Sequence, residues 1–141
     1  MPRLFSTPRL FLDANVLFTA AHNPQGKAAL LISLGQHRLV QLVTSAYAGE
    51  EARRNLARKF PQALAPFETM LAHVTIVADD ITIACPASLA EKDHPIYRAA
   101  HACRADVLLT GDLRDFGPFM NQPQRTGGLL IQTVASYFEG L

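Results

Sequence analysis

The stretch Arg9-Leu10-Phe11-Leu12-Asp13 is an apolar run that stops at a carboxylate, and it predicts a buried strand ending at an acidic residue. Near the other end of the chain, Val107-Leu108-Leu109-Thr110-Gly111-Asp112 repeats the pattern. Between the two runs, segments with helical periodicity alternate with short runs rich in β-branched residues. This alternation predicts an α/β domain with a parallel sheet and helices on both of its faces.

Caps and breakers divide the rest of the chain into elements. Ser45 is placed to cap a helix and Pro61 to stop it. Asp93 is placed to cap another helix, with Pro95 in its first turn. Pro86 interrupts the chain before a short predicted helix at 87–91. We predict strands at 9–12, 39–44, 74–78, 107–110 and 128–132, and longer helices at 26–35, 46–60, 62–73, 93–104 and 134–139.

Bulk composition describes a compact domain and excludes several classes of protein. The 141 residues fit one domain, 1–141, and a hydrophobic content of 49% with 18% charged residues excludes a disordered chain. A net charge of +1 argues against a dedicated duplex-DNA binder. The N-terminus has no apolar signal segment, and no run is long enough to span a bilayer. We therefore expect a cytoplasmic protein without a membrane partner.

Two cysteines, Cys85 and Cys103, are too few and too isolated for a disulfide scaffold or a thiolate cluster. Reduced, buried thiols are the simplest interpretation. His94 and His101 lie seven residues apart and share a helical face only approximately, so no paired histidine ligands for zinc are indicated.

Four acidic residues share one kind of position, at the end of a predicted strand or in the first turns of a helix. They are Asp13, Glu51, Asp93 and Asp112. The carboxyl ends of parallel strands meet at one edge of the sheet, so these carboxylates would repel one another unless cations or protons lay between them. Mg²⁺ and Mn²⁺ prefer carboxylate oxygens. The pattern predicts a divalent-metal site, with Asp115 as a possible further ligand.

Each acidic residue also has a structural alternative. Asp13 could simply cap the turn that follows it, and Asp93 the start of its helix. Glu51 could be a surface residue like Glu50, which points to another face of the helix and could pair with Arg53 or Arg54. Asp115 could stabilise the turn before residues 116–118, the role that we favour for it.

Polar and basic neighbours suggest how such a site could be supported and reached. Asn15 could hydrogen-bond Asp13 or a metal-bound water, and Thr110 is a second supporting polar residue. On the Glu51 side of its helix, Arg54 and Arg58 could contact the phosphates of a ligand, and the ring of Tyr47 could stack on a planar group. A solvated face, an acidic protein partner or plain packing would explain these residues as well.

Four segments in this order resemble the PIN-domain nucleases: 11–17 (FLDANVL), 44–51 (TSAYAGEE), 92–100 (KDHPIYRAA) and 105–112 (ADVLLTGD). The resemblance covers essentially the whole chain. It implies a three-layer α/β/α sandwich whose five parallel strands have the order 3-2-1-4-5. It maps the acidic pocket onto Asp13, Glu51, Asp93 and Asp112, with Asp115 as a possible fifth member and Asn15 as the polar helper.

The resemblance also implies chemistry and partners. It implies Mg²⁺ or Mn²⁺, one or two ions, in the acidic pocket and single-stranded RNA as the substrate. Many small prokaryotic members are toxins neutralised by a cognate antitoxin, and many form homodimers. His94 is less characteristic of the family and could alter the pH response or the metal preference.

The leading hypothesis is a metal-dependent ribonuclease that cuts phosphodiester bonds with a metal-activated water. Two competitors remain open. One is a phosphatase in which Asp13 attacks phosphate covalently, although Asn15 stands where an acid–base aspartate would be expected. The other is a non-catalytic module that binds RNA or a protein through the same pocket.

Overall fold

The computed structural model describes residues 7–141; residues 1–6, part of the segment in which no secretory signal was found, lie outside the described residues. Strands alternate with helices along the chain, as the sequence predicted. The strands are β1 Arg9–Leu12, β2 Gln41–Ser45, β3 Thr75–Val77, β4 Val107–Leu109 and β5 Leu130–Gln132. The helices are α1 Ala14–His22, α2 Lys27–Gln36, α3 Ala46–Lys59, α4 Leu64–Leu71, α5 His94–Ala102 and α6 Val134–Glu139.

All five strands are parallel, and their order is β3-β2-β1-β4-β5. Leu10 of β1 pairs with Leu42 of β2, and Phe11 pairs with Leu108 of β4. Helices cover both faces, so the central strand is buried on each side and its Leu10, Phe11 and Leu12 are fully inaccessible. The fold predicted from the sequence is confirmed.

Two of the predicted helix caps have different outcomes. Ser45 caps α3 as expected, because its Oγ accepts a hydrogen bond from the backbone N–H of Ala48 at 3.1 Å. Asp93 does not cap α5 through its side chain. It ends a short 3-10 turn, Glu91–Asp93, and occupies the N-cap position of α5 without a side-chain hydrogen bond to the free backbone donors. The predicted position of Asp93 at the start of the helix is therefore confirmed, whereas the predicted capping by its side chain was wrong.

Two further elements differ from expectation. Helix α1 was not predicted, and it forms because the Asp13 carboxylate accepts from the N–H of Ala14 while Val16 and Leu17 are buried in the core. The predicted helix at 87–91 is instead a turn, in which the N–H of Leu89 donates to the carbonyl of Pro86. Four residues between Pro86 and the 3-10 turn are too few to nucleate an α-helix.

The longest helix in the described part of the chain is α3, with 14 residues. Among residues 7–141, no helix combines the length and the apolar character needed to cross a membrane. Cys85 and Cys103 are unpaired and half-buried rather than fully buried, and burial raises the pKa of both thiols.

Candidate functional site

The carboxyl edge of the sheet brings together residues that are far apart in the sequence. Asp13 follows β1 directly, and Thr110 follows β4, the neighbouring parallel strand. The backbone N–H of Asp13 donates to the carbonyl of Leu109 at 3.0 Å. This bond ties the start of α1 to the end of β4, so the first and the last acidic segments of the sequence are adjacent.

Asp13 is 4% exposed and accepts hydrogen bonds on both carboxylate oxygens. Its Oδ1 accepts from the N–H of Ala14 at 2.7 Å, and its Oδ2 accepts from the hydroxyl of Thr110 at 2.8 Å. Burial raises the pKa of Asp13, the hydrogen bonds from Thr110 and Ala14 lower it, and the charges of Glu51 and Asp112 raise it further. Asp13 thus caps α1 and also lies close enough to Glu51 and Asp112 for their charges to raise its pKa.

Asn15 and Thr110 connect the two strands through their side chains. The amide of Asn15 donates to Asp13 Oδ2 and to Thr110 Oγ1, at 3.3 Å each, and its Oδ1 accepts from the N–H of Gly111 at 2.6 Å. Thr110, which is fully buried, also accepts from the N–H of Asp112 at 3.0 Å. A Cβ on Gly111 would lie 3.2 Å from Asn15 Oδ1, so the close approach favours glycine.

Three carboxylates, those of Asp93, Asp112 and Asp115, form the carboxylate triplet. Each offers an oxygen, and these oxygens all lie within 4.8 Å of one another. Asp93 is 7% exposed, and its Oδ2 is buried without a hydrogen-bond donor among residues 7–141. A buried carboxylate oxygen without a donor is costly, since its charge has lost hydration and gained no partner.

The pKa of Asp93 reflects this environment. Burial raises this pKa and the charge of Lys92 lowers it, while the hydrogen bond to Asp115 and the charge of Asp112 raise it again, to about 7. The pKa of Asp115 is lowered, mainly because its carboxylate accepts from Lys92. The two neighbouring carboxyl groups therefore differ in proton affinity, with the proton held on Asp93.

The turn after β4 is stabilised by Asp112 rather than by the side chain of Asp115. Asp112 Oδ1 accepts from the N–H of Asp115 at 3.0 Å, and the carbonyl of Asp112 accepts from the N–H of Phe116 at 3.1 Å. The carboxylate of Asp115 belongs to the triplet instead. The turn-stabilising role that we favoured for Asp115 was wrong, because the turn presents this side chain to Asp93 and Lys92.

Lys92 was not singled out from the sequence, although it lies beside the carboxylate triplet. Its Nζ is 2.9 Å from Asp115 Oδ2 and 3.9 Å from Asp112 Oδ2. The hydrogen bond to Asp115 raises the pKa of Lys92. The available signal was its position next to Asp93, but a lysine next to an aspartate is too common in sequences to indicate an ion pair with two other residues.

Glu51 and Glu50 occupy different surroundings, as helical geometry predicted. Glu50 pairs with Arg53 on the surface. Glu51 is half-buried and close enough for its charge to contribute to the raised pKa of Asp13, after burial. It lies outside the tight carboxylate triplet, so its place in a metal site stays a prediction.

The predicted RNA-contacting residues surround the site unevenly. Tyr47 is 44% exposed and its hydroxyl donates to the carbonyl of Lys92 at 3.1 Å, next to the carboxylate triplet. Arg54 is exposed further along the same face of α3. Arg58 donates to Asn55 Oδ1 at 2.9 Å, another turn away. His94 is half-buried, with Nε2 3.0 Å from the carbonyl of Leu89.

A cavity of about 470 Å³ opens beside the hydrogen-bonded pair Asn15 and Thr110. Its walls are largely apolar and come from α1, from the start of α2 and from the start of α6, with Lys27 at the start of α2. A larger cavity of about 510 Å³ is lined by Val77, Asp79, Asp80 and Cys103, none of which is a candidate site residue. The first cavity is the one that adjoins the candidate site, because Asn15 and Thr110 in its wall hydrogen-bond Asp13.

Comparisons with known proteins agree with this architecture. VapBC2 from Rickettsia felis, solved bound to a DNA fragment from their promoter, is similar with a TM-score of 0.61 and 13% identity, over 89% of this chain and 98% of that chain. VapBC-1 from nontypeable Haemophilus influenzae is similar with a TM-score of 0.55 and 17% identity, over 90% of this chain and 98% of that chain. At such low identity the likeness shows the fold alone. No curated protein matches at a significant level.

The decisive comparison is with a family. A family model described as "PIN domain" matches residues 9–114, a stretch that runs from β1 past the end of β4. It contains Asp13, Glu51, Asp93 and Asp112, whereas Asp115 lies just beyond its end. Since the match spans most of the chain and the strand order agrees with the expected one, the protein belongs to the PIN domain family.

Proposed function

We propose that the protein is an endoribonuclease that depends on Mg²⁺ or Mn²⁺ and hydrolyses phosphodiester bonds of single-stranded RNA with a metal-activated water. The observation that carries this proposal is the carboxylate triplet of Asp93, Asp112 and Asp115, in which the buried Oδ2 of Asp93 has no hydrogen-bond donor among the described residues. Membership of the PIN domain family supports a nuclease activity.

The donor set fits a hard divalent cation. All its atoms are carboxylate oxygens, which Mg²⁺ and Mn²⁺ prefer, and the described residues place no histidine or thiolate in the group. Asp93, Asp112 and Asp115 would hold the ion, with Asp13 and Glu51 beside them. When bound, one or two such ions would hold the phosphodiester, make a water more acidic and stabilise the leaving oxygen.

The chain's own contribution is the arrangement of these carboxylates before any substrate arrives. Thr110 donates to Asp13 and accepts from the N–H of Asp112, so one buried hydroxyl sets the spacing between the carboxylates of β1 and β4. The amide of Asn15 donates to both Asp13 and Thr110 and so restrains this carboxylate and this hydroxyl as well. Ligands that are held by hydrogen bonds lose little entropy when they bind an ion, which favours affinity and geometric precision.

The contacts of Asp13 argue against the phosphatase alternative. A covalent nucleophile needs an accessible oxygen, but Asp13 is 4% exposed and both of its oxygens accept hydrogen bonds. Asn15, two residues on, donates to Asp13, and its amide cannot act as a general acid and base as an aspartate would. Water is the better nucleophile for this site.

The non-catalytic alternative draws on Lys92. Its ammonium neutralises part of the carboxylate triplet, so the acidic residues are tolerated without a divalent ion. A pocket of this kind could bind RNA or a protein without cleaving. Retained RNA binding, together with a calorimetric titration that detects no Mn²⁺ binding, would establish this second function in place of the first.

The residues around the carboxylates suggest how the substrate would bind, and the two VapBC structures suggest the protein partners. Tyr47 would stack on an unpaired base, Arg54 and Arg58 would contact phosphates, and the cavity beside Asn15 would take a neighbouring nucleotide. Because both structural neighbours are VapBC structures, we propose that the protein is the toxin of a toxin–antitoxin pair in the cytoplasm. An antitoxin and a second copy of the chain are the protein partners that this proposal includes.

The test is cleavage of mixed single-stranded RNAs by purified protein, with Mn²⁺ and with a chelator. We expect cleavage only with the metal, and Asp13→Asn to reduce the rate by about 100-fold or more. The variant should stay folded, with an unchanged or higher melting temperature, because the substitution removes a buried charge. Glu68→Gln is the matched control: Glu68 pairs with Arg53 on the surface, so this variant should cleave normally. Undiminished cleavage by pure Asp13→Asn protein would reject the mechanism.

A further inference from the structure

Lys92 is the cation that the fold itself supplies to the carboxylate triplet. Its Nζ lies 2.9 Å from Asp115 Oδ2 and 3.9 Å from Asp112 Oδ2, so it pairs with two of the three carboxylates that a divalent ion would use. The backbone of Lys92 is fixed, because its carbonyl accepts from Tyr47 and it belongs to the 3-10 turn before α5. The side chain is 67% exposed and can swing without disturbing the core.

A lysine ammonium and a divalent ion cannot use these oxygens equally at the same time. The ion carries two charges and would repel a third positive charge held at hydrogen-bond distance from its ligands. The exposed stem of Lys92 lets the ammonium move away at little cost. Movement of Lys92 would then leave a free cation at the rim of the site, beside the exposed ring of Tyr47.

We propose that Lys92 is a tethered counter-cation of the carboxylate triplet. Its ammonium leaves Asp112 and Asp115 when the divalent ion binds there, and it then binds a backbone phosphate of the RNA. This inference rests on the proposed function. It assigns Lys92 a positioning role in substrate binding and a competing role in metal binding, neither of which is a role in the cleavage step itself.

Removing the charge of Lys92 should strengthen the binding of Mn²⁺ and weaken the binding of RNA. A purely structural role would not produce these two opposite changes. In Lys92→Met protein, Mn²⁺ should bind about tenfold more tightly at low salt, because a competing charge is gone, and the difference should shrink as salt screens it. The KM for RNA should rise about tenfold with little change in kcat. Lys92→Arg should restore both values towards those of the wild type.

Lys59→Met is the matched control. It makes the same charge change at the last residue of α3, at the opposite end of that helix from the carboxyl edge of the sheet. Calorimetric titration with Mn²⁺ and steady-state kinetics should not distinguish it from the wild type.

The outcomes separate this inference from the proposed function. If the wild-type protein binds no Mn²⁺, the metal-dependent mechanism itself is wrong. If the wild type and Lys92→Met bind Mn²⁺ with equal affinity, or if the variant binds it more weakly, the counter-cation role is refuted while the mechanism stands. If Mn²⁺ binds more tightly to the variant but the KM for RNA is unchanged, the phosphate contact is refuted.

Discussion

The carboxylate of Asp93 takes up a proton on folding, because burial and the nearby carboxylates raise its pKa to about 7. An unfolded aspartate has a pKa of about 3.9. Between these values the folded protein binds more protons than the unfolded chain. The stability that this proton contributes is complete below about pH 4 and is lost as the pH rises through 7.

Asp93→Asn should therefore stabilise the metal-free protein at pH 8 and have less effect at pH 5. We expect its melting temperature with chelator present to exceed that of the wild type by about 4 °C at pH 8. Asp79→Asn is a control of opposite sign: Asp79 pairs with Arg98 at 2.8 Å, which lowers its pKa, so this variant should melt lower at both pH values. A gain for Asp93→Asn that is equal at pH 5 and pH 8 would contradict the assigned pKa.

At the scale of the element, α3 places two adjacent glutamates in different environments. One residue along a helix corresponds to a rotation of about 100°, so Glu50 faces Arg53 and solvent while Glu51 faces the carboxyl edge of the sheet. Of the two, only Glu51 is placed to contribute to the proposed site.

Glu51→Gln should lower the rate of RNA cleavage by about 100-fold, whereas Glu50→Gln should lower it less than about twofold. Because the two variants make the same chemical change one residue apart, the comparison controls for general effects on α3. Equal rates for the two variants would exclude Glu51 from the site.

Strands and helices were predictable where neighbouring residues alone form a recognisable pattern. Every strand was found within about two residues because apolar, β-branched runs bounded by turn residues are a local signal. Helix α1 packs against α2, α3 and α4, and it was missed because it starts directly after Asp13, with no loop to separate it from β1. The helix at 87–91 was wrongly predicted because Pro86 marks the start of a new segment but does not indicate whether a helix follows.

At the scale of the whole molecule, metal binding should couple to stability and to pH. An ion that binds only the folded protein adds about 2.7 kcal/mol when its concentration is 100-fold above Kd. Binding at pH 5 must displace the proton on Asp93, so the gain should be smaller there. Thermal unfolding with and without Mn²⁺ at pH 5 and pH 8 measures the stability gained from the ion at each pH. Asp13→Asn should show a reduced gain, and an equal gain at both pH values would argue against Asp93 as a ligand.

Local sequence patterns were enough to predict the strands in their order along the chain, the parallel sheet and the positions of Asp13, Thr110 and Asp112, because a residue that directly follows a buried strand must lie at the carboxyl edge. The folded structure was needed to show which carboxylates approach one another, that Asp93 Oδ2 has no donor among residues 7–141 and that Lys92 lies against Asp112 and Asp115. The two kinds of interaction differ in how far they reach along the chain. Backbone hydrogen bonding and hydrophobic periodicity act between near neighbours and leave a trace in the sequence, whereas contacts between side chain ends depend on loop paths and rotamers that no local pattern encodes.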